Sequence, residues 1–214
     1  MIKALIFDMD GTMVNTEKMW GDISHKLAAH YGITFDEKVR VQMMGKKDWD
    51  SLSAFRDYFH LDISVDELVR VRRQMILADA GTVQVNAGLY ELLDLADRLS
   101  IKKAIATSAF REFADKILSS FDLSKRFDSV VTGDDVELSK PDPAIFLEAA
   151  KRLDMTPTDC LVLEDAQNGV EAAHRAGMPV FAIPHDASRH HDFSKATKVL
   201  HSMLEIDEAA LRLL

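Results

Sequence analysis

Cysteine occurs once in the 214 residues, at Cys160, and a single thiol cannot form an internal disulfide. That suits a reducing compartment. Cys160 lies inside the apolar run "CLVLE", where a free cysteine reads as core filler rather than a nucleophile. Positive charge is also scarce: 26 Lys and Arg against 35 Asp and Glu leave a formal net charge of -9. Nucleic acid and anionic membranes call for a basic face, so neither is expected as a partner. A small anionic substrate remains compatible, because a metal ion or a few local cations can reverse the field at one site. No apolar run approaches the length of a membrane span, and the chain opens on a strand pattern without a signal-peptide layout. A cytoplasmic protein is expected. Internal repeats and low-complexity segments are lacking too. What is there, 47% hydrophobic and 29% charged residues, suits a globular protein with a real core.

From residue 86 onward, helix and strand patterns alternate. "GLYELLDLADRL" carries Leu89, Leu92, Leu93, Ala96 and Leu99 at helical spacing. "KAIAT" reads as a buried strand, and "FREFADKILSSF" as a helix with Phe110, Phe113, Ala114, Ile117, Leu118 and Phe121 on one face. "FDSVVTG" is a strand, "PAIFLEAAKRL" a helix with Pro143 near its first turn, and "CLVLED" a strand. "NGVEAAHRAG" reads as a helix closing on Gly177, followed by the strand "PVFAI". Such alternation predicts βαβ units and a mainly parallel sheet flanked by helices, an α/β Rossmann-like core. The two-sided apolar strand Ala4 to Phe7 belongs to the same sheet.

Residues from about Asn15 to Asp79 break that rhythm. "EKMWGDISHKLAAHYG" is amphipathic through Met19, Trp20, Ile23, Leu27 and Tyr31 and stops at Gly32. "DWDSLSAFRDYF" is a second helical pattern. "SVDELVRVRRQMILAD" opens on a capping box of Ser64 and Glu67. The spacing predicts an all-helical insert, a cap spanning 15–85, on a core made of 1–14 and 86–214. Hinges are expected near Met13–Asn15 and Gly81–Gly88.

The chemistry-bearing residues gather at strand ends, where ligands bind in open α/β sheets. Asp8 and Asp10 end the first strand. Thr107 and Ser108 end "AIATS", Lys140 lies in "ELSKPDP", and Glu164 and Asp165 end "LVLEDA". Each alone is explained by a helix cap or a solvated charge. Together they describe one pocket of acids, hydroxyls and a lysine.

The motifs "DMDGT", "ATS", "SKPDP" and "LEDAQNGVEAAHRAGMPV" resemble, in the same order and over nearly the whole chain, those of the haloacid dehalogenase superfamily of phosphatases. The insert resembles that superfamily's helical cap. In-line attack by Asp8 on a phosphomonoester would give an aspartyl-phosphate, provided a hard cation such as Mg²⁺ neutralises charge beside it. Asp8 and Asp165 are the expected carboxylate ligands. The resemblance adds the backbone carbonyl of Asp10 and an outer role through water for Glu164. Asp10 suits a general acid that later acts as base. Thr107, Ser108 and Lys140 suit phosphoryl binding, with Lys140 also restraining the Asp8 charge. Gly11 allows a tight turn, and Thr12 a supporting contact.

Dehalogenation needs neither metal nor acid and would leave Asp10 idle. β-Phosphoglucomutases share the core motifs but carry a His and an Arg in the cap, where this chain has Trp20 and Asp48 in an ungapped alignment. Receiver domains are shorter and uncapped. A non-catalytic phosphometabolite-binding relative would be expected to lack Asp8 or Asp10. Hydrolysis of a sugar phosphate or a nucleoside 5′-monophosphate is therefore expected, with the mutase as the alternative. "MMGKKDWDS" and "KATKVLHSM" are similar to stretches of pseudouridine-5′-phosphatases. Glu17, Trp20, Lys46 and Lys47 are the cap residues available to contact substrate. The two lysines read equally as solvated, and Trp20 also as core. His190 and His191 read as surface residues rather than a metal site, and a monomer is the default.

Overall fold

The computed structural model describes residues 2–43 and 48–212. The chain forms two compact units, Met1–Asn15 with Gln84–Leu214, and Thr16–Val83. In chain order it runs β1 (Ala4–Phe7), β2 (Val14–Asn15), α1 (Glu17–His30), α2 (Glu37–Met43), α3 (Asp48–Phe59), α4 (Val65–Asp79) and β3 (Gln84–Val85). It continues through α5 (Leu89–Arg98), β4 (Lys102–Ala106), α6 (Arg111–Ser120), β5 (Ser129–Val131), α7 (Ala144–Arg152) and β6 (Cys160–Glu164). The last elements are α8 (Gln167–Arg175), β7 (Val180–Ala182), β8 (Lys198–Val199) and α9 (Glu208–Arg212).

The first unit is a parallel sheet in the order β5-β4-β1-β6-β7-β8. All four residues of β1 are buried, as a central strand covered on both faces requires. Ala4 and Ile6 share one face with Ala104, Val131, Cys160 and Val162, packed under Phe146 and Ala149 of α7 and Val170 and Ala173 of α8. Leu5 and Phe7 alternate to the other face, the side on which the register sets Phe7 beside Ile105 and Leu163. The fold is Rossmann-like, a mainly parallel sheet flanked by helices, as the alternating pattern predicts. From β1 the chain builds outward through β4 and β5, then crosses back to lay β6 on the other side of β1. That reversal makes the carboxyl ends of β1 and β6 the switch point where a ligand site is expected.

The second unit is helical. Leu27, Phe35, Val39, Leu52, Phe55, Leu68 and Val71 form its core. The N-cap Ser64 accepts the Glu67 N–H at 3.2 Å, and α1 gives way at Gly32 with φ +71°. Several features fall outside the sequence reading, the five-residue helix α9 among them. Helix α2 has seven residues, fewer than a periodic pattern needs. Strands β2 and β3 pair antiparallel, Val14 with Val85 and Asn15 with Gln84, inside the two stretches expected as hinges. Strand β8 extends the sheet with two exposed residues. Among the described residues no helix is long and apolar enough to cross a membrane.

Candidate active site

Strand β1 is prolonged past Phe7 by the Asp8 N–H, which donates to the Leu163 carbonyl at 2.9 Å. Asp8 therefore stands at the carboxyl edge beside the end of β6. A tight loop follows: the N–H groups of Met13 and Val14 both donate to the Met9 carbonyl, at 2.9 and 3.1 Å. Gly11 adopts φ +87°, a conformation that favours glycine. A β-carbon there would also fall 2.4 Å from Asp165 Oδ2. The Asn86 amide donates to the Gly11 and Thr12 carbonyls at 2.6 and 2.8 Å and fixes the loop.

Asp8, Glu164 and Asp165 are buried, and each offers a carboxylate oxygen within 4.8 Å of the others. Lys140 Nζ donates to Asp8 Oδ1 at 2.5 Å, Glu164 Oε1 at 2.7 Å and the Ala106 carbonyl at 3.1 Å. An ammonium has three N–H groups, so each has an acceptor. Glu164 Oε2 accepts the N–H groups of Asp165 and Ala166, both at 2.9 Å. Thr12 Oγ1 donates to Asp165 Oδ1 at 3.2 Å, and His185 Nε2 lies 3.0 Å from Asp165 Oδ2.

Burial pushes the Asp8 carboxyl well above the usual range. Lys140 opposes that push, while Glu164, Asp165 and Asp10 add to it. Glu164 is raised as well, by burial and Asp165 against Lys140. Burial disfavours the charged Lys140, but Asp8 and Glu164 outweigh it and hold the ammonium. Two buried carboxylates thus share one ammonium and a third, Asp165, stands beside them, so the site is short of positive charge. Its donors are hard oxygens, the set that Mg²⁺ prefers, so the residues present fit such a cation.

The Asp10 carboxyl stands apart from that trio: Thr107 Oγ1 donates to its Oδ2 at 3.4 Å. Thr107 is buried at the end of β4, and its hydroxyl also accepts the Ala109 N–H at 3.0 Å. Ser108 is exposed. Asp8, Asp10, Thr107, Lys140, Glu164 and Asp165 therefore meet at one edge of the sheet. In the helical unit, Glu17 is exposed in the first turn of α1, and Trp20 is half-buried with the Arg72 guanidinium 5.3 Å from its ring centre. Lys46 and Lys47 lie outside the described residues. His190 is exposed and packs on His191. Cys160 is buried, and burial pushes its thiol up to about 11, which leaves it protonated and unreactive at neutral pH.

Two residues of this site escape the sequence reading. Gly169 of α8 borders the Glu164 carboxylate, and His185 reaches Asp165 from the loop after β7. The strand-end rule applied to "PVFAI" leads toward His185, because that strand too ends on the same rim.

A family model described as haloacid dehalogenase-like hydrolase matches residues 5–183. The chain belongs to the haloacid dehalogenase-like hydrolase family. It is 32% identical over 186 residues to a phosphorylated carbohydrates phosphatase of Thermotoga maritima, covering 86% of each chain. It is 31% identical over 206 residues to a "Probable pseudouridine-5'-phosphatase" of Drosophila melanogaster, covering 94% of this chain and 89% of that one. The crystal structure of CbbY from Rhodobacter sphaeroides in complex with phosphate superposes with a TM-score of 0.90 at 26% identity, over 99% of this chain and 100% of that chain. The haloacid dehalogenase-like phosphatases are thus this chain's kin, as its four motifs suggest.

Proposed function

We infer that this chain is a Mg²⁺-dependent phosphatase that hydrolyses small phosphomonoesters, sugar phosphates or nucleoside 5′-monophosphates, through an aspartyl-phosphate on Asp8. One observation carries the reading: a carboxylate that could attack phosphorus is buried at the switch point, tied to Lys140 at 2.5 Å and grouped with two further carboxylates. Asp8, Asp165 and the Asp10 carbonyl would hold the cation, with Glu164 acting through water. When bound, the cation supplies charge neutralisation to Asp8 and the phosphoryl oxygens.

The chain's own groups do the rest. An Asp8 oxygen bonds to phosphorus as the ester P–O bond breaks, and the Asp10 carboxyl protonates the departing alkoxide. Asp10, now a carboxylate, takes a proton from water. That water attacks the same phosphorus, releases inorganic phosphate and restores Asp8. Lys140 restrains the Asp8 charge throughout, and Thr107 with Ser108 would receive the phosphoryl oxygens. Positioning and charge carry the rate gain.

The names of the two phosphatase relatives support the substrate class. Selection within that class is assigned to the helical unit as a cap, with Glu17, Trp20, Lys46 and Lys47 as the residues to vary. Hydrolysis is preferred over mutase chemistry because Trp20 lies beside Arg72, and Asp48 accepts from Arg72 and Arg73 at 2.6 and 3.2 Å. Neither position carries the His or Arg expected of a mutase.

A phosphate-release screen across sugar phosphates, nucleoside monophosphates and pseudouridine 5′-phosphate, with and without Mg²⁺, tests the reading. Turnover is expected only with the cation, and Asp8→Asn should reduce it to background. Sustained turnover by Asp8→Asn overturns the mechanism. Glucose 6-phosphate formed from β-glucose 1-phosphate would replace the hydrolase with a mutase.

A further inference from the structure

The loop after β7 brings a histidine to the acid cluster. The Ile183 N–H donates to the Glu164 carbonyl at 2.7 Å, so β6 and β7 stay paired up to the residue before Asp165. Two residues later the backbone of His185 is locked. Its N–H donates to Ser188 Oγ at 3.1 Å, and its carbonyl accepts the N–H groups of Ser188 and Arg189, both at 3.0 Å. Ser188 is buried although it lies in a polar loop.

The ring is fixed as well. His185 Nδ1 accepts the Ala187 N–H at 3.3 Å. A nitrogen that accepts carries no proton, so the neutral ring bears its proton on Nε2. Nε2 lies 3.0 Å from Asp165 Oδ2 and therefore donates to it. The other Asp165 oxygen receives Thr12 Oγ1 at 3.2 Å. Each carboxylate oxygen thus has one donor, which sets the plane of the group and leaves each oxygen able to accept again. Gly11 makes room for the pair: a β-carbon there would also fall 3.0 Å from His185 Nε2.

We propose that His185 is a positioning residue for the divalent-cation site, holding the Asp165 carboxylate through an Nε2–H···Oδ2 hydrogen bond without ligating the ion itself. The proposal rests on Asp165 being a cation ligand, as the proposed function has it. Direct ligation through Nε2 would require Nε2 to lose its proton and Nδ1 to gain one, which costs the Ala187 contact. Hydrogen-bonding partners of ligating residues typically change metal affinity by about 10–100-fold when removed. Of the available donors, a Gln amide comes closest to the reach of Nε2.

Mn²⁺ serves as the probe, with free ion counted by electron paramagnetic resonance in the absence of substrate. His185→Ala and the space-filling His185→Leu should each weaken Mn²⁺ binding by about 10-fold, while His185→Gln should stay near wild type. Thermal melts of the cation-free proteins check that each variant folds, and the leucine variant carries the test if the alanine one does not fold. Electron spin echo modulation of bound Mn²⁺ should show no directly coordinated nitrogen. Unchanged Mn²⁺ affinity in a folded Ala or Leu variant overturns the proposal, and so does an imidazole nitrogen signal or failure of Gln to rescue. Asp165→Asn is the separate control. If it binds Mn²⁺ as tightly as wild type, the cation reading of the site fails, whatever His185 does.

Discussion

Gly169 lies against the Glu164 carboxylate so closely that a β-carbon on it would fall 1.7 Å from Oε1 and 1.9 Å from Cδ. Helix propensity alone favours Gly169→Ala by about 1 kcal/mol. The carboxylate cannot step aside without cost, because it is buried and held by Lys140 and two backbone N–H groups. Overpacking of this kind costs about 1–3 kcal/mol, to which lost hydrogen bonds add. Gly169→Ala should therefore lower the melting temperature by several degrees and weaken divalent-cation binding. A raised melting temperature would mean that Glu164 relocates freely and that its position is incidental.

Lys140→Met keeps the length and apolar stem of the side chain and removes its charge. Asp8 and Glu164 then face each other with no ammonium between them. Breaking a buried ion pair from one side costs about 3–5 kcal/mol. The loss should be largest in the absence of divalent cation and partly reversed by saturating Mg²⁺, read by thermal melts under both conditions. An equal loss with and without Mg²⁺ would show that the cation and Lys140 do not answer the same negative charge.

Much of this architecture is legible in the sequence because its signals are long or repeated. Helices α1, α3, α4, α5 and α6 each carry an apolar stripe over two or more turns, and β1, the Ala104–Ala106 part of β4 and the Cys160–Leu163 part of β6 are short apolar runs. The acids are legible because a single rule, the carboxyl end of a parallel strand, picks them, whereas Lys140 lies in the loop between β5 and α7 and is read from its motif "SKPDP". Strands β2, β3 and β8 have two residues each, too few for any period. The hydrogen bonds of Lys140 are not legible either. Sequence says that a lysine is near, whereas its three acceptors depend on β1, β4 and β6 meeting in space. Gly169 looks like a flaw in a helix until the carboxylate beside it is seen.

Asp8→Asn separates stability from activity. Burial, together with Glu164, Asp165 and Asp10, makes the ionised Asp8 unfavourable in the folded chain, against the pull of Lys140. An acid whose folded pKa is raised loses stability as pH climbs through its unfolded value of about 3.9, so at neutral pH the ionised group is a net burden. The amide removes that burden. Without divalent cation, Asp8→Asn should melt higher than wild type while losing turnover, and Mg²⁺ should stabilise it less. A lower melting temperature would show that the attraction of Lys140 exceeds the cost of burial.

Asp135 supplies a pH prediction away from the acid cluster. Its Oδ2 accepts the Thr132 N–H at 2.8 Å, the Thr132 hydroxyl at 2.7 Å and an Arg111 N–H at 2.6 Å, and its Oδ1 accepts from Arg152 at 3.0 Å. Both guanidinium groups also donate to the Val130 carbonyl, so the carboxylate ties α6 and α7 to β5. Partial burial works against the ion. The Thr132 bonds, Arg152 and the Arg111 charge outweigh it and hold the carboxyl well below the usual range. The unfolded chain, titrating at about 3.9, takes up its proton first as the solution is acidified. The stabilisation is therefore complete above that value and drains away below it. Urea unfolding should show Asp135→Asn less stable than wild type at neutral pH, with the gap narrowing as the solution is acidified below about pH 4. A gap that stays constant well below that pH would mean that Asp135 acts through shape and hydrogen bonding alone, with no contribution from its charge.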